Sequence, residues 1–121
     1  MPKNEEVSLS SLGIQMPYNM QAEQSVLGAA LMDETVLNRL ITDMEPEMFY
    51  SDQNRAVYET MRGLYTGSEA VDIVTLVNAL GSEGTFASAD DAKVYLTRIA
   101  ETVPSISNVD SYFKIVKEKY Q

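Results

Sequence analysis

The side chains that could do chemistry in this sequence are carboxylates, lysines, tyrosines and serines, because its 121 residues include no cysteine and no histidine. The common zinc ligand set, a cysteine nucleophile, haem ligation and the imidazole base of a serine triad are therefore excluded. Candidate carboxylate clusters are Glu5/Glu6, Glu45/Glu47 and Asp90/Asp91. None has the alternating spacing of a calcium loop, and adjacent acids at a helix start typically complement its dipole. We predict no catalytic residue, no cofactor site and no metal site in this chain.

Nucleotide and nucleic-acid binding also lack their usual residues. No glycine is followed by lysine, so the G-x-x-x-x-G-K-[ST] phosphate loop is absent, and so is G-x-G-x-x-G. Nine Lys+Arg against eighteen Asp+Glu give a net charge of −9, whereas DNA binding draws on clustered cations. Three cations do cluster near the end, at Lys114, Lys117 and Lys119, where they would complement the dipole of a terminal helix. We expect no direct nucleic-acid binding from this chain.

The composition predicts one globular domain of 13.4 kDa with 45% hydrophobic residues, large enough to bury a core. Residues 1–18 carry Pro2 and Pro17 without a sustained period, which predicts a flexible N-terminal arm. A helical head domain follows over 19–104, and a C-terminal helix over 105–121. The polar, acidic start is no secretory signal and no apolar run is long enough to span a membrane, so a cytoplasmic protein is expected.

Along the head domain, the capping residues, the helical period of the apolar residues and the stop residues predict the same helices. No run shows the alternation of apolar and polar residues that is typical of a strand. The predicted helices cover 20–32, a segment after Asp33 that ends before Pro46, 52–65, 73–80, 88–101 and the segment from Ser105 onward. A single turn is expected at 46–49, and Phe86 is expected to anchor the loop over 81–88. The fold class is therefore all-α, a compact bundle of about six short helices.

Apolar residues of the last helix follow a seven-residue repeat. Their spacings are 3, 4, 3 and 4 at Ile106, Val109, Phe113, Val116 and Tyr120. Such a narrow stripe is typical of a seam toward a partner helix, which predicts self-association through this helix. Tyr112 and Ile115 broaden the stripe, and two heptads are few, so packing of the helix on its own domain remains an open alternative.

Several motifs in register resemble one family. The run P-Y-N-M-Q-A-E-Q-S-V-L-G at 17–28 resembles the P-x-x-x-x-A-E-Q-S-V-L-G opening of the N-terminal domain of DnaB-type bacterial replicative DNA helicases. Five later stretches are also similar to motifs of this family, in the same order. They are F-Y at 49–50 with N-R at 54–55, V-D-I-V-T-L at 71–76, Y-L at 95–96, V-P-S-x-x-N at 103–108 and Y-F-K-I-V-K-E at 112–118. The residues that carry the resemblance are Pro17, Ala22, Glu23, Gln24, Leu27, Gly28, Phe49, Tyr50, Arg55, Asp72, Thr75, Pro104, Ser105 and Asn108.

Two positions depart from the family pattern. Asn54 stands where the family usually has histidine, and Asp90-Asp91 replaces a Gly-Gly pair. The matching residues are interpreted as scaffold, with Asp72 as a helix cap, Gly28 at a close helix contact and Ser105 as a cap after Pro104.

The resemblance implies a hexameric ring helicase whose N-terminal domains form a collar of paired subunits and recruit a DnaG-type primase, with a helicase loader as a further partner. ATP and Mg²⁺ would belong to a RecA-like C-terminal domain, and the segment 105–121 to the first arm of a helical hairpin. Three alternatives stay open: a free-standing phage or plasmid adaptor or inhibitor that binds helicase or primase, the helicase-binding domain of a primase, and, last, an enzyme.

Overall fold

The computed structural model describes residues 19–81, 83–101 and 109–120. The regular structure of these residues is helical. The helices are α1 Met20–Met32, α2 Glu34–Asp43, α3 Asp52–Thr66, α4 Ile73–Leu80, α5 Ala89–Glu101 and α6 Val109–Tyr120, with a 3₁₀ turn Pro46–Met48 between α2 and α3. The predicted all-α class is confirmed. The predicted arm over 1–18 and the start of the last helix at Ser105 lie outside the described residues.

Side-chain caps determine where the helices start. Asn19 Oδ1 accepts the Ala22 N–H at 3.0 Å, Asp33 Oδ1 accepts the Thr35 N–H at 2.8 Å, and Ser51 Oγ accepts the Asn54 N–H at 3.3 Å. Each satisfies a backbone donor that has no partner within the first turn. Ser88 Oγ accepts the Asp91 N–H at 3.1 Å, so Ser88 lies before α5 as its cap, and the helix proper begins one residue later than predicted.

Helix α1 lies at the centre of the bundle and contacts α2, α3, α5 and α6. Its sequence M-Q-A-E-Q-S-V-L-G-A-A-L-M is buried around most of its circumference, which explains why small residues are frequent in it. Val26, Leu27 and Ala29 are fully buried there. The core therefore forms around the element that begins the described chain.

Two aromatic pairs complete the core. The rings of Phe49 and Tyr58 lie 5.1 Å apart between centroids, and those of Phe86 and Tyr95 lie 5.5 Å apart. Phe86 is buried, as predicted for the anchor of the 81–88 loop. The Tyr58 hydroxyl donates to the carbonyls of Leu40, at 3.2 Å, and Met44, so this buried phenol also satisfies the end of α2. Among the described helices, none has the length and apolar character needed to cross a bilayer.

Candidate functional site

A buried polar cluster joins three helices and contains residues of the first two motifs. Glu23 on α1 is 1% exposed and Asn54 on α3 is 0% exposed. The Glu23 carboxylate accepts three N–H donors: Tyr50 N at 2.7 Å, Ser51 N at 3.3 Å and Asn54 Nδ2 at 2.9 Å. Hydrogen bonds of this kind offset the cost of removing a carboxylate from water. Glu23 thereby ties α1 to the start of α3.

The cluster extends to α5 through the phenol of Tyr95. Its hydroxyl donates to Oδ1 of Asn54 and accepts a hydrogen bond from Nε2 of Gln24 at 3.3 Å. Burial raises the pKa of Tyr95 above its ordinary value, and the hydrogen bond from Gln24 partly opposes this. The Asn54 amide thus uses its donor toward Glu23 and its acceptor toward Tyr95, which fixes its orientation.

The geometry of this cluster suits positioning rather than chemistry. Within the described ranges, no buried side-chain nitrogen or oxygen lacks a hydrogen-bond partner, and no three acidic residues group as metal ligands would. Glu23 accepts its three hydrogen bonds from fixed donors of the fold. We therefore assign the cluster to holding α1, α3 and α5 together.

Arg55, the last residue of the second motif, covers the outer edge of this cluster. Its Nε donates to the carbonyl of Phe49 at 3.2 Å, and its guanidinium also reaches the carbonyl of Tyr50 at 3.2 Å and the carboxylate of Asp52 at 3.0 Å. The Phe49 ring is buried whereas the Tyr50 side chain is 56% exposed. A shallow cavity of about 420 Å³ lies here, lined by Met20, Tyr50, Ser51, Asp52 and Arg55.

Asp72 and Thr75 form a capping box at the start of α4. Asp72 Oδ1 accepts the Thr75 N–H at 2.8 Å, and Thr75 Oγ1 accepts the Asp72 N–H at 3.0 Å. The cap that the sequence predicts for Asp72 is confirmed. Between these two residues Val74 points outward and is 76% exposed. It borders a groove of about 470 Å³ that lies between α4 and α5. The groove is lined by Ile73, Val74, Val77, Asn78, Gly81, Ala89 and Lys93.

Helix α6 packs on its own domain, which corrects the prediction of a seam toward a partner helix. Val109, Phe113 and Val116 are 8%, 2% and 1% exposed, and α6 contacts α1 and the 3₁₀ turn. The physical reason is that α1 presents apolar surface to α6 within the same chain, and a narrow seven-residue stripe fits such a neighbour as well as a partner helix. The sequence left open the alternative that this helix packs on its own domain, and that alternative accounts for the burial of these three residues. Tyr112 and Ile115 are half-buried.

Arg39 on α2 closes the outer side of this packing. Its guanidinium carbon lies 4.5 Å from the centre of the Phe113 ring, a cation–π geometry. It also pairs with Asp110 on α6 and, at 3.5 Å, with Asp43. The hydrogen bond to Asp110 raises the pKa of Arg39. Arg39 therefore fixes α6 to α2 from the solvent side.

The remaining motif residues fall into two groups. Ala22, Leu27 and Gly28 are buried in α1, in agreement with a scaffold role. Pro17, Pro104, Ser105, Ile106 and Asn108 lie outside the described residues, as does the side chain of Tyr120. The predicted cap at Ser105 therefore remains a prediction.

Sequence reasoning did not assign Asn54 or Tyr95 to a site. One signal was present for Asn54: it shares a helix face with Val57, Tyr58 and Met61, at spacings of three, four and seven residues. A polar residue at such a core position indicates a buried partner. Tyr95 carried no comparable signal, because its partners Gln24 and Asn54 lie 71 and 41 residues away.

The class of protein follows from the fold as a whole. The fold matches the crystal structure of the N-terminal domain of DnaB helicase from Mycobacterium tuberculosis with a TM-score of 0.78 and 33% identity, over 88% of this chain and 75% of that one. The chain is thus an N-terminal helical domain of the kind found in replicative DNA helicases.

Sequence comparison names the family. The sequence model described as "DnaB-like helicase N terminal domain" matches residues 15–118, and this chain belongs to that family. Over 103 residues, 85% of the chain, it is 35% identical to the replicative DNA helicase DnaC of Bacillus subtilis (strain 168) and 32% identical to the replicative DNA helicase DnaB of Geobacillus stearothermophilus. The chain spans about a fifth of those two relatives, 22% of each. The resemblance that the motifs predict is confirmed.

Proposed function

We propose that this domain serves assembly and partner docking in a hexameric, ATP-dependent replicative DNA helicase, pairing subunits and recruiting a DnaG-type primase during primosome formation. The observation that carries the proposal is the family match over residues 15–118, which covers nearly all of the described fold. The domain would act through contacts with other proteins, since its buried polar side chains Glu23 and Asn54 serve to hold helices together. A helicase loader is a further partner that the family resemblance suggests.

The charge of the chain supports protein contact over DNA contact. A net charge of −9 repels phosphate on average, so DNA handling is assigned to other parts of the helicase. ATP and Mg²⁺ binding are assigned to a RecA-like ATPase domain of the parent protein, as the resemblance implies. The proposed location is the cytoplasm, where such a helicase would work.

Subunit pairing through α6 would use the side of that helix that its own domain leaves open. Val109, Phe113 and Val116 face inward, whereas Tyr112 and Ile115 are half-buried and Lys114 is exposed. In this proposal α6 is the first arm of a helical hairpin, and Tyr112 lies on the side that meets a second arm or a second subunit.

The decisive experiment compares the full parent helicase with a version that lacks residues 1–121. We expect the truncated protein to keep its ATPase activity but to lose primase binding, measured by calorimetry, and to form fewer complete rings, measured by mass photometry. Unchanged primase binding would contradict the docking role. A stop codon directly after Gln121 in the gene would contradict the helicase assignment and support a free-standing adaptor or inhibitor.

A further inference from the structure

The outer face of α5 carries one self-complementary row of side chains. Asp90, Val94 and Arg98 follow each other at four-residue spacing, which places them in line on one helix surface. All three are exposed, and the apolar Val94 is 54% exposed. Neither Asp90 nor Arg98 takes part in an ion pair among the described residues. The row therefore offers an apolar centre flanked by an anion on one side and a cation on the other.

We propose that a second copy of this chain packs its α5 antiparallel onto this face, with the two-fold axis at Val94. At a rise of about 1.5 Å per residue, Asp90 and Arg98 lie roughly 6 Å to either side of Val94 along the helix. Antiparallel packing then places Asp90 opposite Arg98 of the second copy, and the symmetry repeats the pair. Such a contact is isologous, since the same patch serves both partners. The inference rests on the proposed assembly role and names a surface for it.

Charge also disfavours a slipped register. If the two-fold axis lay midway between Tyr95 and Leu96 instead of at Val94, Lys93 would lie opposite Arg98 of the second copy. These like charges would repel each other. The register centred on Val94 has opposite charges at both flanks and the exposed apolar side chain at the axis. We therefore commit to that register.

Apolar surface beside the row enlarges the contact. Lys93 borders both the groove that contains Val74 and the cavity of about 560 Å³ along the outer face of α5. Val74, at 76% exposure, is the most exposed large apolar side chain of the described residues. The groove therefore continues the patch toward α4.

The size of the patch predicts weak pairing of the isolated chain. Helix α5 has 13 residues and is about 20 Å long, and one helix face is smaller than the roughly 800 Å² per partner of a typical stable complex. We expect pairing at high protein concentration, and stronger pairing where several subunits are held in one assembly.

Charge reversal with mixing tests the proposal. Asp90→Arg gives a face with two cations and Arg98→Asp a face with two anions, so each variant alone should pair at least about tenfold more weakly than the wild type. An equimolar mixture of the two should recover pairing, because opposite faces then meet. Sedimentation equilibrium at high concentration measures all three samples. Glu59→Arg is the matched control, since Glu59 is an exposed acid on α3 outside the row, and this charge reversal should leave pairing at the wild-type level.

Cross-linking gives a second, independent measurement. The chain has no cysteine, so Val94→Cys carries a single thiol that lies next to its symmetry mate in the proposed dimer. A short bis-maleimide should link Val94→Cys into dimers and leave Glu59→Cys monomeric.

Two results would overturn the proposal. A wild-type chain that stays monomeric at the highest concentration, together with no linked Val94→Cys dimer, rules out the α5 contact. Pairing that Asp90→Arg and Arg98→Asp leave unchanged rules out this surface but leaves the assembly role standing. Primase binding by the parent helicase is measured separately, so a failure of the proposed function is distinguishable from a failure of this contact.

Discussion

The side-chain amide of Asn54 donates a 2.9 Å hydrogen bond to the carboxylate of Glu23, although neither side chain is open to solvent. The two residues lie 31 positions apart, and the bond links the first helix to the third. Asn54 also accepts from Tyr95, so one amide connects three helices. Asn54 occupies the position where the family motif has histidine, which shows that this departure lies inside the fold and not on its surface.

We expect Asn54→Ala to lower the free energy of unfolding by about 2–3 kcal/mol, because it leaves the buried carboxylate of Glu23 and the half-buried phenol of Tyr95 each short of one partner. Urea denaturation followed by circular dichroism measures the change. Gln53→Ala is the matched control on the same helix, since Gln53 is exposed, and we expect its effect to stay within about 0.5 kcal/mol. Equal losses in the two variants would contradict the role assigned to the cluster.

Alkaline pH should destabilise the domain through two tyrosines. Burial raises the pKa of Tyr58 and of Tyr95 above the ordinary value of 10.0. The unfolded chain therefore releases these protons first, so the contribution is fully present below about pH 10 and is lost as pH rises through the raised pKa values. The slope is at most about 1.4 kcal/mol per pH unit for each tyrosine.

A double Tyr58→Phe and Tyr95→Phe variant tests this alkaline effect. It should be less stable at pH 8, because hydrogen bonds are lost, but should show a shallower decline between pH 10 and 11 than the wild type. Urea denaturation midpoints measured at pH 8 and between pH 10 and 11 give the difference in stability and the slope of the decline. Parallel declines would show that other groups cause the alkaline loss.

The packing of α6 gives a third expectation. Phe113→Ala should lower the free energy of unfolding by about 3–5 kcal/mol, because it opens a cavity beneath Arg39 and removes the cation–π contact. Ser111→Ala on the exposed side of α6 is the control and should change little. If Phe113→Ala instead weakened self-association while leaving stability unchanged, the residue would belong to a subunit interface after all.

The capping box of α4 gives a fourth expectation. Asp72→Ala should cost about 1 kcal/mol, since it leaves a first-turn N–H without its acceptor, whereas Asp72→Asn should cost clearly less. Thermal unfolding of the two variants side by side measures the difference. Equal melting temperatures of Asp72→Ala and the wild type would contradict this expectation.

Helix limits were predictable from the sequence because local chemistry decides them. Asn19, Asp33, Ser51 and Asp72 all cap the helices that their positions predict. A cap and its acceptor lie within three residues, so no tertiary information is needed. The same reasoning moves the start of α5 by only one residue, from Ser88 to Ala89.

Tertiary partners were not predictable in the same way. The stripe of α6 has the same spacing whether its neighbour is α1 of the same chain or a helix of another chain, so spacing alone could not choose between them. Likewise, no local pattern connects Gln24 with Tyr95 across 71 residues. Only the fold shows that the Y-L motif on α5 and the opening motif on α1 meet.

The central position of α1 has a consequence for synthesis on the ribosome. Helix α1 is covered on one side by α6, and the two helices are separated along the chain by most of the domain. At about 5–20 residues per second, α6 is made roughly 4–18 seconds after α1, for a separation of about 90 residues. During that time the nascent chain exposes an apolar helix whose cover does not yet exist. Folding of the domain would be completed only when α6 emerges.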